Sequence, residues 1–139
     1  MVIVLCESDP DVYRTYRGFT QVAEKTGVSV YNIQSRGTQY VQKRKVCDIL
    51  IASPIIVSDL IDKDEINVSR VRFIFADCAD KLFKAFGLPS TTKLIHYLGQ
   101  QNNAVRILGC EHIYESRRQF YYDSCRESPI ELRVERKFE

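Results

Sequence analysis

"VRFIFADCADKL", Val71 to Leu82, is the stretch on which the reading of the whole chain turns. Apart from Arg72, Val71 to Ala76 is apolar and rich in β-branched and aromatic residues, which suits a strand buried on both faces. The run stops in Asp77-Cys78-Ala79-Asp80, two carboxylates around a thiol and a methyl, and Lys81 to Phe86 then takes up a helical pattern. A buried strand, a short polar turn and a helix make half of a βαβ unit. Ligands of such sheets sit beyond the carboxyl ends of the strands. Asp77 to Asp80 is therefore the first candidate site.

Outward from there, apolar runs of strand length alternate with helical patterns. Val2 to Cys6 reads as a strand, and Asp9-Pro10 as a helix start with aspartate as cap and proline at the first helical position. Val12, Tyr16, Phe19 and Ala23 recur at helical spacing opposite Arg14, Arg17, Glu24 and Lys25, and Gly27 supplies the stop. Val28 to Ile33 alternates as a second strand, Ser35-Arg36-Gly37 turns out of it, and a polar helical stretch runs to Lys45. Cys47 to Ala52 reads as a third strand, and Ser53-Pro54 starts a short helix through Ile61. Thr91 to Gln101 reads as a helix, Val105 to Leu108 as a strand, Ser116 to Arg126 as a helix and Ile130 to Val134 as a closing strand. About six strands joined by helical crossovers predict an α/β fold of three layers, a mostly parallel sheet with helices on both faces. The strand ends are then Glu7-Ser8, Ser35-Arg36-Gly37, Ser53-Pro54, Asp77 to Asp80 and Gly109-Cys110-Glu111.

The 139 residues, 45% hydrophobic and 27% charged, are expected to make one domain, residues 1–139, with a real core. A net charge of +2 does not call for nucleic acid or acidic lipid by itself, although basic residues bunch at Lys43-Arg44-Lys45, Arg117-Arg118 and Arg133 to Lys137. The five cysteines are odd in number and form no CxxC pair, and Cys6, Cys47 and Cys110 lie in or beside apolar strands. Free thiols acting as small hydrophobes in a reducing compartment fit that pattern better than disulfides. Val2 to Leu5 is short and has no basic region before it, and Ser53-Pro54 interrupts the longest apolar run, Ile49 to Val57. Neither a leader nor a membrane contact is expected.

These motifs, in this order and spacing, resemble the first RecA-like domain of DEAD-box RNA helicases. "CDILIASP" is similar to the strand leading into that family's Thr-Pro-Gly-Arg motif, and "INVSRVRFIFADCADKLF" to the segment carrying Asp-Glu-Ala-Asp. "VRILGCEH" stands where the family has a strand ending in Ser-Ala-Thr, "SPIELRVE" resembles the closing strand, and "VIVLCESDPDVYRTY" fits the Pro-Thr-Arg-Glu-Leu segment. The resemblance spans essentially the whole chain, but no single motif is intact. It implies a RecA-like domain with degenerate motifs at Asp77-Cys78-Ala79-Asp80, at Ser53-Pro54 and at Gly109-Cys110-Glu111.

The departures carry the functional expectation. In the family the first aspartate works through magnesium and the glutamate orients or deprotonates the attacking water; Asp77 and Asp80 match the two aspartates, while Cys78 replaces the glutamate. A thiol with an ordinary pKa near ~8.5 is mostly neutral at pH 7, binds magnesium poorly and is no substitute carboxylate. General-base catalysis is worth roughly 10²–10⁴-fold, so this change alone should nearly stop hydrolysis. No GxxxxGK[ST] loop is present to cradle phosphates, and Glu111 at the nucleotide-sensing position would repel one. The chain is therefore expected not to be an enzyme and to take no cofactor and no metal. Family RNA contacts are weakened too, because Glu7-Ser8-Asp9 is acidic where an arginine is usual, and Ile55-Ile56 follows Ser53-Pro54 where Gly-Arg is usual. Arg36, Lys43, Arg44 and Lys45 remain as candidate RNA-binding residues.

Blander readings compete at several positions. Cys78, Asp80, Cys110, Glu111 and His112 would gather at neighbouring strand ends, but none has the spacing of a zinc motif, and a decayed pocket with packed thiols is preferred. A Cys78–His112 nucleophilic pair lacks a nameable oxyanion hole or third orienting group. His96 reads as an ordinary, partly buried helix histidine, and the aromatics as mostly core by their periodicity. Tyr121-Tyr122 with Arg117-Arg118 makes either a single-strand patch or the packed face of a helix.

In the family a P-loop strand lies between the strand ending in Ser-Ala-Thr and the closing strand, and this chain has both neighbours without it. Either Ile130 to Val134 pairs directly with Val105 to Leu108, or another chain fills the gap, or the sequence belongs to a longer protein whose preceding segment supplies the strand. The expectation is a nucleotide-independent scaffold, with a protein partner or a homodimer through a sheet edge or apolar patch, in RNA metabolism. Tudor-domain proteins of the piRNA pathway with decayed helicase-like domains are the nearest analogy, implying a cytoplasmic, RNA-granule setting. The alternative is a non-catalytic RNA-binding module built on the basic group.

Overall fold

The computed structural model describes residues 1–34, 47–125 and 129–132. Along the chain these form β1 (Val2–Leu5), α1 (Asp9–Ala23), β2 (Val30–Ile33), β3 (Ile49–Ala52), α2 (Pro54–Asp62), β4 (Phe73–Ala76), α3 (Ala79–Phe86), α4 (Leu88–Gln100), β5 (Val105–Leu108) and α5 (Arg118–Ser124). The strands make one sheet in the order β2-β3-β1-β4-β5, and every pair is parallel. Val2 stands level with Ile49 on one side and Phe73 on the other, and Phe73 is level with Val105. The α/β class and the parallel sheet agree with the sequence reading.

Because strand side chains alternate, this register sorts the sheet into two apolar faces. One carries Ile3, Leu5, Leu50, Ala52, Ile74 and Ala76, packed with Val57, Leu60, Leu82, Phe83, Ile95 and Leu98. At ~1.5–3 kcal/mol for each fully buried aliphatic or aromatic side chain, this layer dominates stability. The other face carries Val4 and Ile51 beneath Val12, with Tyr16 and Phe19 of α1 at the margin. Here α1 lies over β2 and β3. It does not reach the far side of the sheet: Phe73, Val105 and Ile107 are 46%, 51% and 46% exposed.

Local chemistry sets the helix starts. Ser8 caps α1, its hydroxyl accepting from the Asp11 amide at 3.4 Å, and Asp9 and Asp11 place negative charge in the first turn. Ser53 does the same for α2, accepting from the Ile56 amide at 3.5 Å, with Pro54 at the first helical position. α1 ends at Ala23, ahead of Gly27, because the Thr26 hydroxyl and amide both donate to the Ala23 carbonyl, at 2.8 and 2.9 Å. The strands are shorter than their apolar runs: β2 starts at Val30, β3 at Ile49 and β4 at Phe73.

Two expectations need correction. The described part of the closing strand, Ile130 to Leu132, is not a strand; Ile130 and Leu132 are 88% and 85% exposed. Its alternation is real, but within the described residues it meets no ladder to join, so the sheet here has five strands. The aromatics need a narrower correction: among the described residues Phe83 and Tyr121 are buried and Tyr16, Phe19, Tyr31, Phe75 and Phe86 pack against the core, while Tyr13, Phe73, Tyr97, Tyr114 and Tyr122 are exposed. The helical stretch ending at Lys45 lies outside the described residues.

Leu50→Ala should cost ~2–5 kcal/mol, because it opens a cavity between the sheet and the helix layer. Val22→Ala, at a site 80% exposed, should stay within ~0.5 kcal/mol. Urea midpoints of the two variants against the parent chain check both.

Candidate functional site

Parallel register brings the carboxyl ends of all the strands to one edge of the sheet, and the hydrogen bonds there decide what the site can do. Asp77 leaves β4 with its amide donating to the Leu5 carbonyl at 3.0 Å, which ties it to the end of β1. Cys78 follows in the left-handed region, φ 51° and ψ 57°, as the residue that caps α3 without a side-chain cap bond. Its thiol donates to Asp77 Oδ1 at 3.7 Å. Burial first, and then the Asp77 carboxylate, raises the thiol pKa, so Cys78 is neutral at physiological pH.

The end of β5 closes on the same turn. The Ala79 amide at the start of α3 donates to the Gly109 carbonyl at 2.7 Å, and the Gly109 amide donates to the Ala76 carbonyl at 2.9 Å. Asp80 is buried, and its Oδ1 accepts from the Glu111 amide at 3.4 Å. Glu111 itself is exposed and reaches Lys81 at 4.0 Å across the mouth of the turn. Cys110 is half-buried, its thiol pushed up to about 11 by burial and by the Asp80 carboxylate. Asp77 to Asp80 and Gly109 to Glu111 are thus one locality, as the strand order implied.

The remaining candidates divide. Ser53 and Pro54 lie at the end of β3, where the serine hydroxyl is engaged in capping α2. Arg36, Lys43, Arg44 and Lys45 lie outside the described residues. The Tyr121-Tyr122 and Arg117-Arg118 group resolves into a packed helix: Tyr121 is buried, its ring 5.1 Å from that of Phe83. Arg118 lies 6.0 Å over Tyr122 and pairs with Glu115 at 2.6 Å and Glu131 at 3.0 Å. His96 is exposed on α4, its Nε2 2.7 Å from Gln100. Among the described residues no cluster of histidine, cysteine and carboxylate has the arrangement to hold a metal ion. None of the five cysteines is in a disulfide. No helix of the described residues is long and apolar enough to cross a membrane.

Sequence reasoning missed the left-handed Cys78 and the Asp80–Glu111 bond. The first had a faint signal, a helix start without serine, threonine or asparagine at the cap. The second joins residues 31 positions apart, and no local pattern announces it.

No family model matches the chain, and no curated protein does either. Solved structures do. S. cerevisiae Dbp5 L327V bound to Gle1 H337R and IP6 superimposes with a TM-score of 0.79 at 14% identity, over 96% of this chain and 34% of that one. A hypothetical ATP-dependent RNA helicase from Sulfolobus tokodaii gives 0.77 at 15% identity, over 88% and 37%. The yeast DEAD-box splicing factor Prp28 gives 0.76 at 14%, over 90% and 30%. The fold is that of a helicase RecA-like domain. This chain spans about a third of the length of the structures it matches.

Two substitutions test the turn. Asp80→Ala should cost ~0.5–1.5 kcal/mol by removing the acceptor for the Glu111 amide, with Asp80→Asn, which keeps an acceptor, costing less. Cys78→Gly should be neutral or stabilise by up to ~1 kcal/mol, because glycine adopts positive φ without the strain a Cβ brings. Thermal midpoints of the three variants read both signs.

Proposed function

We propose that this chain is a non-catalytic, pseudo-helicase domain that acts as a protein-interaction scaffold in RNA metabolism. The observation that carries the reading is the state of the strand-end turn. Where the helicase resemblance calls for a carboxylate, the chain has a neutral thiol whose pKa is raised by burial. The amide at the start of the following helix, Ala79, is committed to the Gly109 carbonyl, and the Asp80 carboxylate to the Glu111 amide. A nucleotide phosphate needs free amides and a nearby cation. Here the Ala79 amide is spent, and Glu111 adds negative charge at the rim, where Lys81 lies 4.0 Å from it.

The role fits a single domain over residues 1–139, placed as the first RecA-like domain of the resembled family, in a cytoplasmic, RNA-granule setting analogous to the Tudor-domain piRNA proteins. Dbp5 was solved with the protein partners Nup159 and Gle1, and also with RNA, so the fold is met in both kinds of complex. The second reading, an RNA-binding module, rests on Arg36, Lys43, Arg44 and Lys45. It is the less favoured, because Arg118, which would extend a basic surface, is paired with Glu115 and Glu131.

Fluorescent ADP titrated with magnesium should show no saturable binding, and ATP turnover should equal buffer and stay unchanged in Asp77→Ala. Turnover lost in Asp77→Ala would make the chain an enzyme. Oligo-RNA binding measured between ~50 and ~200 mM salt separates the two non-catalytic readings: tight binding that falls steeply with salt favours the RNA module.

A further inference from the structure

Two thiols stand at the strand-end turn, and the bonds that hold the turn bring their backbones together. Cys78 precedes Ala79 and Cys110 follows Gly109, and the Ala79 amide donates to the Gly109 carbonyl at 2.7 Å. One residue further on, the Asp80 carboxylate accepts from the Glu111 amide at 3.4 Å. Cys110 is thus tied on both sides to the two residues that follow Cys78. The Gly109 amide closes the near end on the Ala76 carbonyl at 2.9 Å, and a Cβ on Gly109 would lie 4.0 Å from the Cys78 amide nitrogen. With standard peptide dimensions, one such hydrogen bond puts the Cα atoms of Cys78 and Cys110 roughly 6 Å apart, within the ~4.4–6.8 Å that a disulfide spans.

We propose that Cys78 and Cys110 are a redox-modification site, at which Cys78 exchanges with a small disulfide such as oxidised glutathione and Cys110 resolves the adduct into an intramolecular bridge. The inference is independent of the scaffold reading, since it asks only for the thiols and the turn. In the first step Cys78 loses its thiol proton to solvent and its sulfur attacks one sulfur of the glutathione disulfide. That S–S bond breaks, and one glutathione leaves as a thiolate that takes up a proton. Cys110, deprotonated in turn, attacks Cys78 Sγ, and the second glutathione leaves the same way. Two protein thiols are oxidised, and one small disulfide is reduced to two thiols.

The surroundings set the order of the two steps. Both thiols are half-buried. Cys110 packs against the core, and burial above all pushes its thiol up to about 11. Burial and then Asp77 raise Cys78 too, but the Lys81 ammonium pulls it back, so Cys78 holds the larger thiolate fraction and attacks first. Its thiol donates to Asp77 Oδ1 at 3.7 Å, a weak S–H bond that rotation about χ1 releases.

The remaining thiols are placed less well. Cys6 and Cys47 are buried outright. Cys125 is the competitor, since it lines with Cys110 a groove of about 620 Å³ beside β5. Its amide, however, is bonded to the Tyr121 and Tyr122 carbonyls of its own helix, whereas the turn at Cys78 is bonded to the segment of Cys110 itself. Neither thiol is in a disulfide here, so the bridge is a response to oxidant, as suits the reducing compartment expected from the sequence. Once made, it closes a loop containing α3, α4 and β5 and holds the turn covalently.

The test keeps the full, folded chain in buffers stepping from reduced to oxidised glutathione. Samples are then blocked with N-ethylmaleimide in urea and read by mass spectrometry of the intact chain and its peptides. In oxidised buffer, three blocked cysteines should replace the five of the reduced chain, with a linked Cys78–Cys110 peptide, and excess reduced glutathione should restore all five. The bridged chain should show a higher urea midpoint than the reduced one. Cys110→Ser should stop at one glutathione on Cys78. Cys78→Ser, at a half-exposed turn, should keep the midpoint of the reduced parent and form no bridge, while Cys125→Ser should bridge as the parent does. The linked peptide in the parent chain keeps the test readable whatever the serine variants do to folding. Overturning results are no bridge in fully oxidised glutathione, a bridge from Cys110 to Cys125, or a glutathione on Cys78 that the parent never resolves. A bridge that forms only when urea is present during oxidation counts equally against it, because the folded turn would then play no part.

Discussion

The in-register parallel pairing of β1 with β3 and β4 is the constraint on which the rest of the molecule depends. A parallel sheet must be covered on both faces, since its crossover helices deliver apolar strands with no polar side to show to water. Ile3, Leu50 and Ile74 stand level across three strands, and the helix layer closes over them as a single core. The second face follows the same rule only in part. α1 covers the half carrying Val4 and Ile51, and the strip from Phe73 to Ile107 is left outside.

The same pairing delivers the strand ends to one edge, where chemistry and architecture part company. The turn between β4 and α3 carries two carboxylates, Asp77 and Asp80. Its groups are engaged with the protein itself: Asp77 anchors to Leu5, Ala79 to Gly109, and Asp80 to Glu111. These bonds stitch β4, β5 and α3 together and would stabilise the sheet whether or not a ligand ever visited it. Fold likeness therefore carries architecture to this chain, and the side chains decide function. Cys78 shows this most plainly, holding a left-handed backbone position with a thiol whose pKa burial raises further.

What could be read from the sequence was what short-range physics controls. β-branched and aromatic runs such as Val2 to Leu5 and Phe73 to Ala76 became strands, and the spacing of Val12, Tyr16 and Phe19 became the packed side of α1. Asp9-Pro10 and Ser53-Pro54 marked helix starts because capping is a bond between near neighbours, although the cap of α1 proved to be Ser8, one residue before the expected aspartate. The order of these elements was enough for an α/β parallel sheet. Crossover helices leave little topological choice.

Tertiary structure decided everything that depends on a distant partner. Ile130, Leu132 and Val134 alternate as well as any strand, yet the described residues of that run stand across a groove from β5, because a strand exists only when a neighbour accepts its hydrogen bonds. Phe73, Val105 and Ile107 are apolar enough for a core and remain exposed, because burial is settled by where α1 ends up lying. The Asp80–Glu111 bond and the Arg118 pairing with Glu131 likewise join segments that only folding brings together. By itself, the sequence determined which segments are strands and helices, because those preferences act over a few residues. Which apolar residues face water and which carboxylates are already engaged was decided only by the fold, because both are properties of neighbours in space.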